Sequence, residues 1–332
     1  MWSTTQIEQD SNPQHLSYYD DTLYWLVDDE AAEPTEDELG REVPRRKLMA
    51  CSIGGDKLEG DRVRSIAGAL PPSQALAVGP AGAFVWGPGR ECVLRVSHGG
   101  EVGEFTRTPE QPDGRLVHAG MRLFFVGKLN PATTGVAVYD PDGDDFRRVL
   151  ETGDALMSSL DRVHVASDSV WLLVHDPRGW VLEEVNLAGE IEQEHLVSEE
   201  AHLFRRMCRD SAGFLLADDH GLYLFDGDDG LQRLVECELP PEEVACVADQ
   251  AVWLSGAVED TEGNLAEPWR IHAAAMDENT SSRIIFDAPT RLVGLIGGTW
   301  GCACMIRDTP IGVAATPGGH VSQGIAVLRR ER

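Results

Sequence analysis

The sequence predicts an all-β protein assembled from one repeated four-strand unit, and three observations support this prediction. Hydrophobic segments end in a short turn rich in Gly, Asp or Asn seven times, and successive turns end 40 to 49 residues apart. Each turn is flanked by short segments that are either alternating or wholly apolar, as β-strands are. An aromatic residue recurs in the second of these segments. The turns end at Gly55, Gly100, Gly143, Gly189, Gly230, Asn279 and Gly319.

The fourth repeat shows the unit most clearly. Residues 161–166 are predicted as an inner strand, 170–174 as the second, 180–185 as the third and 191–197 as the outer strand. The second strand is almost wholly apolar, as a strand buried on both faces requires, whereas the third and outer strands alternate. A period in the forties made of four short strands is typical of a β-propeller blade. We therefore predict a β-propeller with seven four-stranded blades, in a single domain over residues 1–332.

The recurring aromatic of the second strand is interpreted as core packing between blades, because large aromatic side chains dominate core burial. A count of six or eight blades stays open, since the first repeat is irregular. Ring closure also stays open, because either 1–8 or 324–329 could supply the last outer strand. The second-strand positions are Trp25, Trp86, Phe124, Trp171, Leu215, Trp253 and Trp300.

The charge of the chain excludes one broad class of function. The formal net charge is −28, from 56 acidic and 28 basic residues, which argues against electrostatic binding to nucleic acid or to anionic membranes. Residues 1–14 are polar and do not resemble a secretory signal. The seven cysteines, an odd number scattered among apolar strands, indicate free thiols. We therefore expect a soluble cytoplasmic protein.

Loop length gives the main indication of a binding site. In a propeller, the connections between second and third strands emerge on the same face as the connections between blades. Three of these are predicted to be long, at 28–46, 127–134 and 256–268, and loops tolerate insertion and carry recognition. We predict that this face binds a protein partner, through a basic segment of that partner. The predicted partner-binding residues are Asp28, Asp29, Glu30, Glu36, Asp37, Glu38, Glu259, Asp260, Glu262 and Trp269.

Three other groups of residues were weighed as chemical sites. The run 140–145 places carboxylates at alternate positions, as in a calcium loop, but Asp and Gly are also the residues that turns favour. Cys302 and Cys304 could bind a soft metal, although a second ligand pair is missing. His118 and His164 fall in predicted inner strands. Structural roles are favoured for all of these, so no catalytic, metal or cofactor residue is predicted, and a divalent cation such as calcium is left open.

Two stretches carry a family resemblance. Residues 22–25 (TLYW) leading to 47–55 (KLMACSIGG), and residues 76–78, 83–86 and 93–100 (VLRVSHGG), resemble repeats of the YWTD-like, NHL and SMP-30-like β-propeller superfamily. The resemblance extends over nearly the whole chain as a repeat pattern and implies the fold. Its members range from receptor modules to lactonases, and the lactonase branch would imply a divalent metal in the central channel. The chain has no Asn-Gly-Leu segment of the kind that this branch requires.

We predict from these observations a non-catalytic protein-recognition or scaffold propeller. Two alternatives remain open: a metal-dependent propeller enzyme of the lactonase or hydrolase type with its site in the channel, and a small-molecule sensor. The predicted inner strands at 73–78, 115–118, 243–247 and 291–295 are poor in acids, which favours the non-catalytic interpretation.

Overall fold

A computed structural model of the chain describes residues 2–8, 13–36, 40–53, 63–73, 75–87, 92–107, 113–130, 133–140, 142, 144–152, 161–200, 202–227, 230–259, 261, 265–276, 281–307 and 323–330. The elements of the first half are β1 (Trp2–Glu8), β2 (Gln14–Tyr19), β3 (Thr22–Asp28), β4 (Thr35–Glu36), β5 (Glu42–Val43), β6 (Arg46–Ser52), β7 (Val63–Leu70), β8 (Ala75–Gly79), β9 (Gly82–Trp86), β10 (Cys92–Val96), β11 (Val102–Arg107), β12 (Asp113–Ala119), β13 (Arg122–Asn130), β14 (Thr133–Asp140), β15 (Asp145–Thr152) and β16 (Val163–Val165).

The strands of the second half repeat the same arrangement. They are β17 (Ser169–Asp176), β18 (Gly179–Asn186), β19 (Ile191–Ser198), β20 (Arg206–Asp210), β21 (Gly213–Ala217), β22 (Gly221–Phe225), β23 (Leu231–Glu236), β24 (Pro241–Val247), β25 (Gln250–Ser255), β26 (Val258–Glu259), β27 (Leu265–Glu267), β28 (Trp269–Ala275), β29 (Arg283–Ala288), β30 (Arg291–Gly298), β31 (Gly301–Arg307) and β32 (Gly324–Arg330).

Hydrogen bonding groups these strands into seven four-stranded antiparallel blades, and the fold is a seven-bladed β-propeller as predicted. Blades 1 to 6 run from inner to outer strand as β2-β3-β6-β7, β8-β9-β10-β11, β12-β13-β14-β15, β16-β17-β18-β19, β20-β21-β22-β23 and β24-β25-β28-β29. By its contacts the chain divides into two compact units. One contains Met1–Pro13, Leu173–Leu182 and His195–Arg332, and the other contains Gln14–Leu172 and Glu183–Glu194. That one domain spans residues 1–332 stays a prediction.

Blade 7 resolves the question of which terminus supplies the last strand. Its order is β30-β31-β32-β1, so the N-terminal strand is the outer strand. β1 pairs with β32 from Trp2 opposite Arg330 to Glu8 opposite Gly324. The seventh turn of the sequence repeat, 316–319, therefore falls between the second and third strands of blade 7, outside the described residues, and not before an outer strand as in the other repeats.

The turns that end the third strands have the expected local chemistry. In blade 2 the amide of Gly100 donates to the Ser97 carbonyl at 2.9 Å, and Gly100 has a φ of +90°, which favours glycine. In blade 4, Gly189 closes an equivalent turn on Asn186 at 3.0 Å. These short closures explain why the repeat is visible in the sequence.

Within each unit the aromatic positions pack as predicted, with one correction. Trp25 and Phe124 are fully buried, and Trp86 and Trp253 are nearly so. Trp300, in contrast, lies in the turn before β31 and is half-buried, so it is not a second-strand residue. The corresponding strand of blade 7 contributes small buried side chains, including Cys302 and Cys304.

Two connections between second and third strands contain an added two-stranded hairpin, β4–β5 in blade 1 and β26–β27 in blade 6. The predicted long loop at 127–134 is different. β13 extends to Asn130 and β14 begins at Thr133, so the strands themselves are longer and the connection is tight. The Asn130 side chain accepts a hydrogen bond from the Thr133 amide at 2.9 Å, which closes this turn locally.

Candidate functional site

The hairpin of blade 1 contains most of the predicted binding residues. β4 and β5 pair through Thr35 opposite Val43 and Glu36 opposite Glu42. Glu30, Glu36 and Glu42 are exposed. Asp37 and Glu38, which were predicted to join them, lie outside the described residues. The hairpin is therefore an exposed element with acidic side chains, and two of these are directly opposed across its strands.

Asp29 is buried at the base of this hairpin, with only 5% of its surface exposed. Its Oδ2 accepts a hydrogen bond from the Ala69 amide at 2.7 Å, and its Oδ1 lies 3.3 Å from Lys47 Nζ. The Ala69 hydrogen bond is the largest influence on the carboxyl and, with Lys47, holds the pKa of Asp29 below its usual value, although burial opposes this. A Cβ on Gly68 would lie 2.7 Å from Oδ2, so glycine at that position leaves room for the carboxylate.

The neighbouring Asp28 is also part of this base. Its carboxylate forms an ion pair with Arg46, the first residue of β6. Arg45 donates to the Glu33 carbonyl and to the Ala69 carbonyl, both at 3.1 Å. Asp28 and Asp29 thus hold the base of the hairpin through these contacts, whereas Glu30 and Glu36 are exposed to solvent.

Replacing Asp29 with alanine is expected to lower the free energy of unfolding by about 1–3 kcal/mol, because the buried Ala69 amide and Lys47 would lose their acceptor. Since the pKa of Asp29 is lower in the folded state, its contribution is complete above the unfolded value of about 3.9 and disappears as the pH falls through the folded value. Urea titrations at pH 7 and at pH 3 should show the difference between wild type and variant shrinking at the acidic pH. The exposed neighbour Glu30→Ala is the control, and an equal loss in both variants would contradict the role of Asp29.

The hairpin of blade 6 differs in its chemistry. Val258 pairs with Glu267, and Glu259 pairs with Leu265. The structure describes the backbone of Glu259 but not its side chain. Asp260 and Glu262 lie outside the described residues. Trp269 begins β28 and is 9% exposed, packed in a cluster that joins blades 6 and 7. The Arg291 guanidinium lies 5.9 Å from the centre of its ring. Trp269 is thus a packing residue at the base of the second hairpin.

A cavity of about 340 Å³ beside blade 6 contains a Ser–His pair that the sequence did not reveal. Ser255 Oγ lies 2.9 Å from His272 Nε2, and the imidazole stacks on Trp253 at 5.0 Å. Burial, followed by the charge of Arg270, lowers the pKa of His272 to about 4, so the ring is neutral at pH 7 and shares a hydrogen bond with the Ser255 hydroxyl. Ser255 is 1% exposed, and the Glu267 carboxylate, which lines the same cavity, pairs with Arg270. The pair satisfies buried polar groups, and the buried Ser255 hydroxyl is not an accessible nucleophile.

A second group missed from the sequence lies at the connection between blades 4 and 5. The buried carboxylate of Asp218 contacts His202 Nδ1 at 3.0 Å, the His220 amide at 2.8 Å and the Tyr223 hydroxyl at 3.1 Å. Burial raises the pKa of Asp218, but these three partners together outweigh it and hold the pKa below its usual value. The His202 carbonyl accepts from Trp180 Nε1 at 2.8 Å, so the network holds the interblade connection in place.

Several of the residues weighed as metal ligands are buried or packed against neighbouring side chains. Cys302 and Cys304 are fully buried, and burial raises the pKa of Cys302 to about 12. The ring of His118 stacks on Phe84, and burial lowers the pKa of His118. In the run 140–145, the Asp140 carboxylate accepts a hydrogen bond from the Asp142 amide at 3.1 Å, and the Asp144 carboxylate accepts one from the Tyr139 hydroxyl at 3.0 Å. Across the described ranges, no three His, Cys, Asp or Glu side chains are grouped as ligands for a metal ion.

The described part of the chain has no helix with the length and apolarity needed to cross a membrane. No protein-family model matches the chain, and no curated protein matches it. Similarity therefore comes from solved structures alone.

Three solved structures illustrate this similarity. A catalytically inactive virginiamycin B lyase from Staphylococcus aureus with quinupristin matches with a TM-score of 0.58 and 10% identity, over 100% of both chains. A streptogramin B lyase matches with a TM-score of 0.59 and 11% identity, over 99% of this chain and 97% of the other. The β-propeller domain of the Trilobed protease from Pyrococcus furiosus matches with a TM-score of 0.59 and 10% identity, over 91% and 94%. At these identities the likeness shows the fold alone, and it confirms the β-propeller resemblance at that level.

Proposed function

We propose that this chain is a non-catalytic, cytoplasmic recognition propeller, which binds a basic segment of a protein partner through the β4–β5 hairpin of blade 1. The β26–β27 hairpin of blade 6 is proposed as a second, separate binding element. The observation that carries the proposal is the addition of these hairpins to connections that are only two or three residues long in blades 3, 4 and 5. The equivalent connection spans 177–178 in blade 4 and 218–220 in blade 5. Added loops on a rigid scaffold are where recognition usually resides.

The charge of the first hairpin supports a basic partner. Glu36 and Glu42 are opposed across the strand pair, and like charges directly opposite one another are unfavourable in the free protein. Glu30 and Glu33 are exposed in the same connection. A Lys- or Arg-rich segment laid along the hairpin would replace this repulsion with attraction. The buried Asp29 gives the hairpin a defined position at its base, which lowers the entropic cost of binding.

The test is a pull-down of the tagged protein from its host, followed by affinity measurement with the partner identified. The variant Glu30→Gln/Glu36→Gln/Glu42→Gln is expected to bind about tenfold more weakly, since three surface charge pairs are together worth about 1.5 kcal/mol. Wild-type binding should also weaken as salt is raised from 50 to 500 mM, because exposed charges are screened.

A matched control removes three exposed acids from the opposite ends of blades 2 and 3. Glu101→Gln/Glu104→Gln/Asp145→Asn changes the net charge equally and should bind as the wild type does. Equal weakening in both variants would mean that the total charge, and not the hairpin, attracts the partner. Stoichiometric divalent metal in the purified protein, with no partner recovered, would instead support the channel enzyme.

A further inference from the structure

The sulfur atoms of two cysteines from neighbouring blades lie close together. Cys208 lies in the inner strand β20 of blade 5 and Cys246 in the inner strand β24 of blade 6, and their Sγ atoms are 3.1 Å apart. Both are free thiols. A disulfide bond is about 2.05 Å long, so bond formation needs about 1 Å of approach. We propose that Cys208 and Cys246 are a peroxide-sensitive thiol pair that forms a disulfide between blades 5 and 6.

The two thiols are not equivalent. The hydrogen bond to Cys246 is the largest of the influences that raise the pKa of Cys208 well above its ordinary value, followed by burial and by the charge of Asp210. Cys208 therefore keeps its proton at neutral pH. Cys246, in contrast, lines a cavity that Cys208 does not line, so Cys246 is the thiol that an oxidant in this cavity would meet first.

A cavity of about 610 Å³ gives a small oxidant access to Cys246. It lies where the inner-to-second-strand turns of blades 5, 6 and 7 meet, and Arg209, Met276 and Thr299 also line it. A Cβ on Gly297 would lie 2.6 Å from the Cys246 carbonyl oxygen, so glycine there allows the close approach of β30 to this part of β24.

The proposed reaction with hydrogen peroxide proceeds in two balanced steps. The sulfur of Cys246 attacks one peroxide oxygen as its thiol proton is released, the O–O bond breaks, and Cys246 becomes a sulfenic acid, while the departing hydroxide takes up that proton and leaves as water. The sulfur of Cys208 then attacks the sulfenic sulfur, its proton goes to the departing hydroxyl, and a second water leaves as the disulfide forms. Two thiols and one peroxide thus give one disulfide and two waters. A thiol reductant reverses the change through a mixed disulfide.

The other cysteines provide internal controls for selectivity. Cys237 lines the smaller cavity, and burial raises its pKa to about 12, so little thiolate is present at pH 7. Cys302 and Cys304 are fully buried in blade 7. We therefore expect oxidation to start at Cys246 and to leave these three thiols reduced.

The experiment treats the folded protein with stoichiometric hydrogen peroxide at pH 7, traps the remaining thiols with N-ethylmaleimide in acidic denaturant, and maps disulfides without reduction. Trypsin combined with a Glu-specific protease separates Cys237 from Cys246, because Glu238, Glu242 and Glu243 lie between them. The expected product is a cross-linked pair joining Met207–Arg209 to the peptide beginning at Val244, with a mass loss of 2 Da per bond. Five thiols should remain alkylated, and dithiothreitol should restore all seven.

Variants separate this assignment from general oxidation. Cys208→Ser should leave Cys246 as a sulfenic acid that a dimedone probe labels, whereas Cys246→Ser should abolish both the cross-link and the labelling. Cys237→Ser should oxidise as the wild type does. A cross-link involving Cys237, or conversion of Cys246 to a sulfinic acid in wild-type protein with no cross-link, would overturn the proposal. The wild-type peptide map decides the question even if a serine variant does not fold.

Discussion

Deletion of residues 2–8 is expected to destabilise the protein by about 5 kcal/mol, the largest effect that we predict. β1 is the outer strand of blade 7, and its removal takes away seven cross-strand residue pairs with β32. Each net hydrogen bond contributes about 0.5–1.5 kcal/mol, and the buried Ile7 adds hydrophobic stabilisation. The deletion also leaves β32 as an unpaired edge next to a fully buried core, and such edges promote association.

Thermal unfolding followed by circular dichroism, with light scattering to detect aggregation, measures this effect. The matched control is Ser3→Ala/Thr4→Ala, because both side chains are exposed in β1 and the backbone pairing is kept. A synthetic peptide of residues 1–12, added in trans, should restore much of the stability by reforming the fourth strand of the blade. If the truncated protein melts at the wild-type temperature, β1 does not complete blade 7.

The position of β1 in blade 7 is a feature of this fold that the sequence alone does not determine. The turns after the third strands can be predicted from the sequence because each is stabilised by hydrogen bonds between residues of the same turn. The turn at Ser97–Gly100 is an example. Which terminus closes blade 7 is not local. Residues 1–8 and 324–329 both have strand-like patterns, and the pairing of Ile7 with Ile325 joins positions at opposite ends of the chain. Local pattern also misassigned Trp300, because an aromatic beside a strand resembles one within it.

The candidate site was predictable in position more than in detail. The composition correctly located an acidic connection at 28–46, but it could not show which of the acidic side chains are exposed and which are buried. Asp29 is buried because the amide of Ala69, forty residues away in the outer strand, donates to it. Glu30, the next residue, has the same charge in the sequence and is exposed. The contact between Cys208 and Cys246 likewise depends on the packing of two blades, and their spacing in the sequence gives no sign of it.

Replacing Asp218 with alanine is expected to cost about 3–4 kcal/mol, because it leaves three donors without an acceptor at a buried site. These donors are the His202 ring, the His220 amide and the Tyr223 hydroxyl. Because partners hold the folded pKa of Asp218 below its unfolded value, its contribution is present above about pH 4 and is lost as the pH falls through the folded pKa. The wild type and the variant should therefore converge in stability under acid conditions.

Tyr223 gives this prediction a second readout that does not depend on unfolding. Burial is the largest cause that raises the pKa of Tyr223 to about 12, and the charge and hydrogen bond of Asp218 follow. Removing the carboxylate should lower that pKa towards 10, as seen in an alkaline absorbance titration against Tyr223→Phe. The adjacent Asp219→Ala is the matched control: Asp219 pairs with the exposed Arg205 at 2.8 Å, and such surface pairs contribute about 0–1 kcal/mol. Similar losses in both aspartate variants would show that the buried network does not hold the connection between blades 4 and 5.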